Sequence, residues 1–313
     1  MNYIKPLSVF LLGWLLLLMT PPLSSIAWVS GLAQLALFIL VVCIPAWRTG
    51  RISYVDIGWP WGLVVIGVIV LAMSEHLNIR TLAVSAIYLF IGLRMGVTAL
   101  RMWRDGHIDV ELPRYKYQQR RWEKAGITNI PLNRQVEVLV QALANASFLA
   151  LPAFVMWLNP DPAIHPLEWV ALLLWIAAFA MESVADMQKK AFIKRTQASG
   201  DNLAVCNVGL WRYSRHPNYF AEWMVWNALM LAALSSWWAL YGELDMVIWV
   251  LLGSGLMFTS RCMYVTLVHY TGAKPAEYYS VQKRPGYAAY QLQTNQFFPG
   301  PSRAGGGVEA GPA

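Results

Sequence analysis

The sequence predicts an all-α polytopic membrane bundle of about eight transmembrane spans with both termini cytoplasmic. Three observations predict it. Hydrophobic residues make up 57% of the 313 and charged residues only 13%, where a soluble domain carries about a quarter charged. The mean hydropathy is +0.43. Apolar runs of about 20 residues recur along the chain, each long enough to cross a bilayer. Lys and Arg are then confined to alternate loops.

The apolar runs fall at roughly 7–20, 26–46, 57–74, 80–101, 135–157, 166–185, 217–235 and 245–268. The first is short and follows Lys5, as a signal peptide would. Pro21-Pro22 is a poor small-residue cleavage site, and a second apolar run follows at once, so it reads as a span. Arg48 and Arg51 follow the second run, and Arg104, Arg114, Arg121, Lys124 and Arg134 follow the fourth. Lys189, Lys194, Arg195, Arg212 and Arg215 lie between the sixth and seventh, and Lys274, Lys283 and Arg284 follow the eighth. The opposite loops, 21–25, 75–79, 158–165 and 236–244, contain no Lys or Arg, with Arg80 the exception at their edge. An even number of spans with this alternation places both ends in the cytoplasm.

The net charge of +7 therefore marks the cytoplasmic face and gives no reason to expect nucleic acid. The basic stretch 114–124 reads as a solvated face beside anionic headgroups. Residues 1–300 show no internal boundary and read as a single membrane domain, followed by a Gly-rich flexible tail at 301–313. Cys43, Cys206 and Cys262 have no paired spacing and read as free thiols. No Gly-x-Gly-x-x-Gly, P-loop or metal-spaced His pair occurs, so no metal and no soluble dinucleotide domain is expected.

Ionisable residues inside spans are the functional pointers, because each costs roughly 2.5–3.5 kcal/mol at mid-helix. Arg94 lies deep in the fourth span, Arg261 deep in the eighth, Glu182 near the end of the sixth and Glu222 near the start of the seventh. Asp56 opens the third. Interhelical ion pairs would explain any one of them, while together they outline a polar cavity toward the cytoplasm.

The densest stretch is Leu210-Trp211-Arg212-Tyr213-Ser214-Arg215-His216-Pro217-Asn218-Tyr219-Phe220-Ala221-Glu222. Pro217 suits the first helical position. The free N–H groups of that turn, beside Arg212 and Arg215, form an expected phosphate site. Asn218 and Glu222 share a helix face, as do Glu182 and Asp186. Lys283-Arg284-Pro285-Gly286-Tyr287-Ala288-Ala289-Tyr290, ending at Phe297-Phe298-Pro299, reads as an amphipathic lid.

Glu182-x3-Asp186-x-Gln188, the Gly209 to Glu222 stretch, Arg284-Pro285-Gly286-Tyr287-x2-Tyr290 and Pro299 resemble a bacterial membrane family of unassigned function grouped with the steroid 5-alpha-reductases. The resemblance covers about 50–300. It implies a multi-pass protein of the bacterial inner membrane that binds NADPH from the cytoplasm and passes hydride to an unsaturated, lipid-like carbonyl substrate. It assigns Glu182, Asp186, Arg195, Arg212, Arg215, His216, Asn218, Tyr219, Glu222, Arg261 and Tyr287 to the cofactor. Asp56 and Arg94 correspond to catalytic residues that align the acceptor carbonyl. Where the steroid enzymes carry a Tyr three residues before that Arg, this chain has Ile91, leaving Tyr54, Tyr88 or water to donate the proton. Arg-His-Pro-x-Tyr is also similar to isoprenylcysteine and phospholipid methyltransferases, which use S-adenosylmethionine. Those enzymes show adjacent glutamates in the tail, where this chain has the single Glu277. A non-catalytic lipid-binding protein is the third reading.

Overall fold

The computed structural model describes residues 4–75 and 77–303, and every regular element within them is a helix. The expected tail therefore falls outside the described residues from 304 onward. In order the α-helices are α1 (Ile4–Met19), α2 (Pro21–Phe38), α3 (Ile44–Thr49), α4 (Val55–Ala72) and α5 (Ile79–Arg104). They continue with α6 (Pro113–Lys124), α7 (Ile130–Ala146), α8 (Leu151–Leu158), α9 (Pro166–Ala198) and α10 (Pro217–Ala239). The last three are α11 (Met246–Val265), α12 (Ala273–Lys283) and α13 (Tyr287–Gln293).

Six helical stretches among the described residues are long and apolar enough to cross a membrane: Pro21–Thr49, Val55–Ala72, Ile79–Arg104, Ile130–Leu158, Pro166–Ala198 and Met246–Lys283. The other two expected spans correspond to α1, a shorter apolar helix of 16 residues, and α10, which has 23. α10 is long enough, but Glu222, Asn227, Ser235, Ser236 and its tryptophans dilute its hydropathy. The stretch Met246–Lys283 is 38 residues, about 57 Å of helix against a hydrocarbon core of about 30 Å. It breaks at Thr271-Gly272, so α11 is the membrane part and α12 lies beyond it.

The chain divides into two compact units, Met1–Leu172 with Ala228–Arg261, and Leu173–Asn227 with Cys262–Ala313. In the first unit the stretch Ile130–Leu158 is central, with 83% of its apolar window buried in protein. The expected fifth span is not one helix. α7 stops at Ser147, whose backbone leaves the helical region at φ −116° and ψ −97°, and α8 restarts four residues later with Pro152 in its first turn. Small residues allow close approach around it. A Cβ on Gly62 would collide with Asn145 Nδ2, and one on Gly92 would meet the Pro60 carbonyl at 2.6 Å. Both belong to the Gly-x3-Gly pairs 58/62 and 92/96.

Arg80, the exception to the charge pattern, is 2% exposed. Its guanidinium forks onto Glu168 at 2.5 and 3.1 Å and donates to the Ala163 carbonyl at 2.6 Å and to that of Asp161. The charge is a latch that ties the 159–168 loop to the start of α5. In the second unit, the end of α9, the 199–216 loop and α12–α13 surround Trp211 and Tyr290. Trp211 Nε1 donates to the Ala185 carbonyl at 2.9 Å, and the Tyr290 hydroxyl donates to the Trp211 carbonyl. Gly209 is at φ +52° with its Cβ position filled by the Gln188 side chain, so glycine is required there.

Candidate functional site

Within the second unit the chemistry-bearing stretch separates into an inward frame and a polar helix face. Arg215 belongs to the frame. Its Nε and Nη2 fork onto Glu277 at 2.7 and 3.2 Å, and its Nη1 donates to the carbonyls of Gln291 (2.9 Å) and Thr294. Its backbone N–H donates to the Asn295 carbonyl at 2.8 Å. Glu277 also accepts from Gln291 and Gln296 at 3.0 Å and faces His216 Nε2 at 3.1 Å. His216 stacks on Tyr219, ring centroids 5.4 Å apart. Ser214 Oγ donates to the Phe297 carbonyl at 2.8 Å and accepts the His216 N–H. A loop before α10 is thereby clamped to α12 and the C-terminal strap. This follows from burial: a guanidinium 8% exposed needs a carboxylate and carbonyls around it.

Burial alone would raise the Glu277 carboxyl, but the hydrogen bonds from His216 and Arg215 and their nearby charge outweigh it and hold it at about 2. Burial pushes His216 down from its ordinary value, against the hydrogen bond and charge of Glu277, which raise it. The phosphate role expected of Arg215 meets a guanidinium whose fork is already committed to Glu277, and the partner role for His216 is likewise internal. Arg212 and Arg195 are exposed, with Arg212 Nε 3.4 Å from the Asn207 carbonyl.

The helix face carries the acceptors. Asn218 Nδ2 donates to Asp186 Oδ1 at 3.1 Å, linking the first turn of α10 to α9. That bond fixes the amide's orientation and leaves Asn218 Oδ1 buried with no hydrogen-bond partner. Glu182 precedes Asp186 by one turn and is buried, and Glu222 follows Asn218 by one turn and is half-buried. Each carboxylate lies one turn further into the apolar part of its helix. Tyr287 is buried beside the frame, its hydroxyl pushed up by burial and by Glu277. An open groove of about 400 Å³ runs between Asp201, Val205, Asn207, Gly286, Tyr290 and Gln293.

The remaining expected residues lie in the first unit. Asp56 is bound by the Arg114 guanidinium and accepts from the Tyr115 hydroxyl at 2.5 Å. Arg94 is half-buried on α5, and Arg261 is exposed near the end of α11. Of the proton donors left open, Tyr88 is buried and donates to the Leu149 carbonyl at 2.5 Å, and Tyr54 accepts from Arg51 at 3.1 Å. Tyr115 and Glu277 were not legible as site residues. Their partners lie 59 and 61–62 residues away in the chain, and no local spacing reveals such pairs.

A family model described as a protein of unknown function, DUF1295, matches residues 42–294. The chain belongs to this family, a steroid 5-alpha-reductase-like group. An uncharacterized protein of Schizosaccharomyces pombe is 25% identical over 186 residues, which are 54% of this chain and 50% of that protein. The chain thus spans about half the length of the curated relative it matches. No solved structure matches it.

Proposed function

We propose that this member of the steroid 5-alpha-reductase-like family is a membrane reductase that uses NADPH to reduce an unsaturated, lipid-like carbonyl compound. The observation that carries the reading is the unpartnered Asn218 Oδ1, oriented by Asp186 and flanked on the two helices by Glu182 and Glu222. A buried acceptor left unsatisfied costs about 1–3 kcal/mol. A buried acceptor of this kind suits a ligand rich in donors, as the carboxamide, amine and ribose hydroxyls of a dinucleotide are. The exposed Arg212 and Arg195 would take the phosphates in place of Arg215. The cofactor supplies the hydride, and Asp56 and Arg94 keep the proposed part of aligning the carbonyl. Tyr219, stacked on His216, and the buried Tyr287 beside Glu277 belong to the frame.

One observation favours the S-adenosylmethionine reading. The Arg215–His216 pair grips Glu277, the tail glutamate at the place where the related methyltransferases carry theirs. Thermal unfolding of the purified protein with each cofactor separates the two. A ligand at a hundred times its Kd stabilises by about 2.7 kcal/mol. The reductase reading expects a saturable shift with NADPH and none with S-adenosylmethionine; the reverse pattern assigns a methyltransferase and overturns it.

A further inference from the structure

The basic stretch 114–124 is a helix with two different faces. Tyr115, Gln118 and Trp122 are buried on one side of α6, and Tyr115 and Trp122 join a core with Ile57 of α4, Ala99 of α5 and Val138 of α7. α6 therefore packs against the start of α4, the last part of α5 and the middle of α7. Lys116, Arg120 and Lys124 are exposed on its other side, with Glu123 as the acid among them, and the exposed Arg121 at the flank donates to Gln118 at 3.2 Å. The inner face also holds Asp56 through Arg114 and Tyr115. Just before it, Glu111 accepts from the backbone N–H groups of Ile52 and Ser53 at 2.8 and 3.0 Å. The helix is thus bracketed to the start of α4 at both points.

We propose that the outer face of α6 is a binding surface for anionic phospholipid headgroups, and that headgroup binding steadies the bracket around Asp56. Four exposed cations at the end of a membrane bundle match the negative surface potential of the cytoplasmic leaflet, and each contributes roughly fivefold in affinity. Because the opposite face is packed, a bound headgroup acts on a helix already fixed in place. The inference stands whether or not the protein is a reductase.

The test is amide hydrogen exchange of the full chain in nanodiscs of phosphatidylglycerol or phosphatidylcholine. Amides of 105–124 should exchange about tenfold more slowly in the anionic discs, because stabilising the helix suppresses its local opening. The difference should collapse at 1 M salt, where the screening length is about 3 Å. The variant K116Q/R120Q/R121Q/K124Q should lose it, while K190Q/K194Q/K274Q/K283Q, with as many cations removed elsewhere, should retain it. Equal exchange of the parent in the two lipids overturns the proposal without any variant. So does protection that survives 1 M salt, or that both variants lose alike.

Discussion

Replacing Glu277 with Gln removes the negative charge from the frame while keeping its volume. In the parent the two carboxylate oxygens receive Arg215 Nε and Nη2, the amides of Gln291 and Gln296, and face His216 Nε2. Glutamine offers one acceptor oxygen and points an NH2 at donors on the other side. The Arg215 charge, 8% exposed, then keeps only carbonyl partners. Breaking a buried ion pair by removing one partner costs roughly 3–5 kcal/mol. At about 2–4 °C per kcal/mol, Tm should fall on the order of 10 °C. The assay is thermal unfolding of the detergent-purified variant beside the parent, followed by a NADPH titration at a temperature where both are folded. A loss below about 1 kcal/mol would refute the framing role. Unchanged stability with lost cofactor affinity would make Glu277 a ligand group.

Arg80→Ala should cost a similar 3–5 kcal/mol by stranding the buried Glu168, and Arg80→Lys should recover little because it lacks the fork; melting curves of both variants decide this. Because Glu277 is held at about 2 against an ordinary 4.5, the stability it contributes is complete above about pH 4.5 and declines as pH falls toward 2. Unfolding curves of the parent should weaken over that window, and those of Glu277→Gln should lose this component of the slope. Reporter fusions at Asn159 and Ser236 should read outside the cytoplasm and one at Lys124 inside, as the Lys and Arg distribution requires; a reversed pattern would contradict the orientation.

Hydropathy made the helical bundle legible because lipid leaves the backbone few alternatives to helices. The Gly-x3-Gly pairs likewise announced close packing, and Gly62 and Gly92 sit where a Cβ would collide. The break at Ser147 was hidden because the residues on either side are as apolar as a continuous span. The i, i+4 spacing and the rarity of charge in spans marked Asn218, Asp186, Glu182 and Glu222 as candidates, and the structure joins Asn218 to Asp186. Arg215 carried the same local signals as a phosphate ligand, but its direction is set by Glu277 on another helix. Arg80 looked like an edge residue because its partners, Glu168 and the 161–163 carbonyls, lie more than 80 residues on. Long-range pairing is a property of packing, which no window along the chain contains.

The proposed contact of the dinucleotide is with Asn218 Oδ1. It is tested most directly by isothermal titration of the parent and Asn218→Ala with NADPH. A single neutral acceptor contributes about 0.5–1.5 kcal/mol, so the variant should bind about two- to twelvefold more weakly while its melting curve stays cooperative. Binding of NADPH with equal affinity by both proteins would exclude Asn218 as a cofactor ligand.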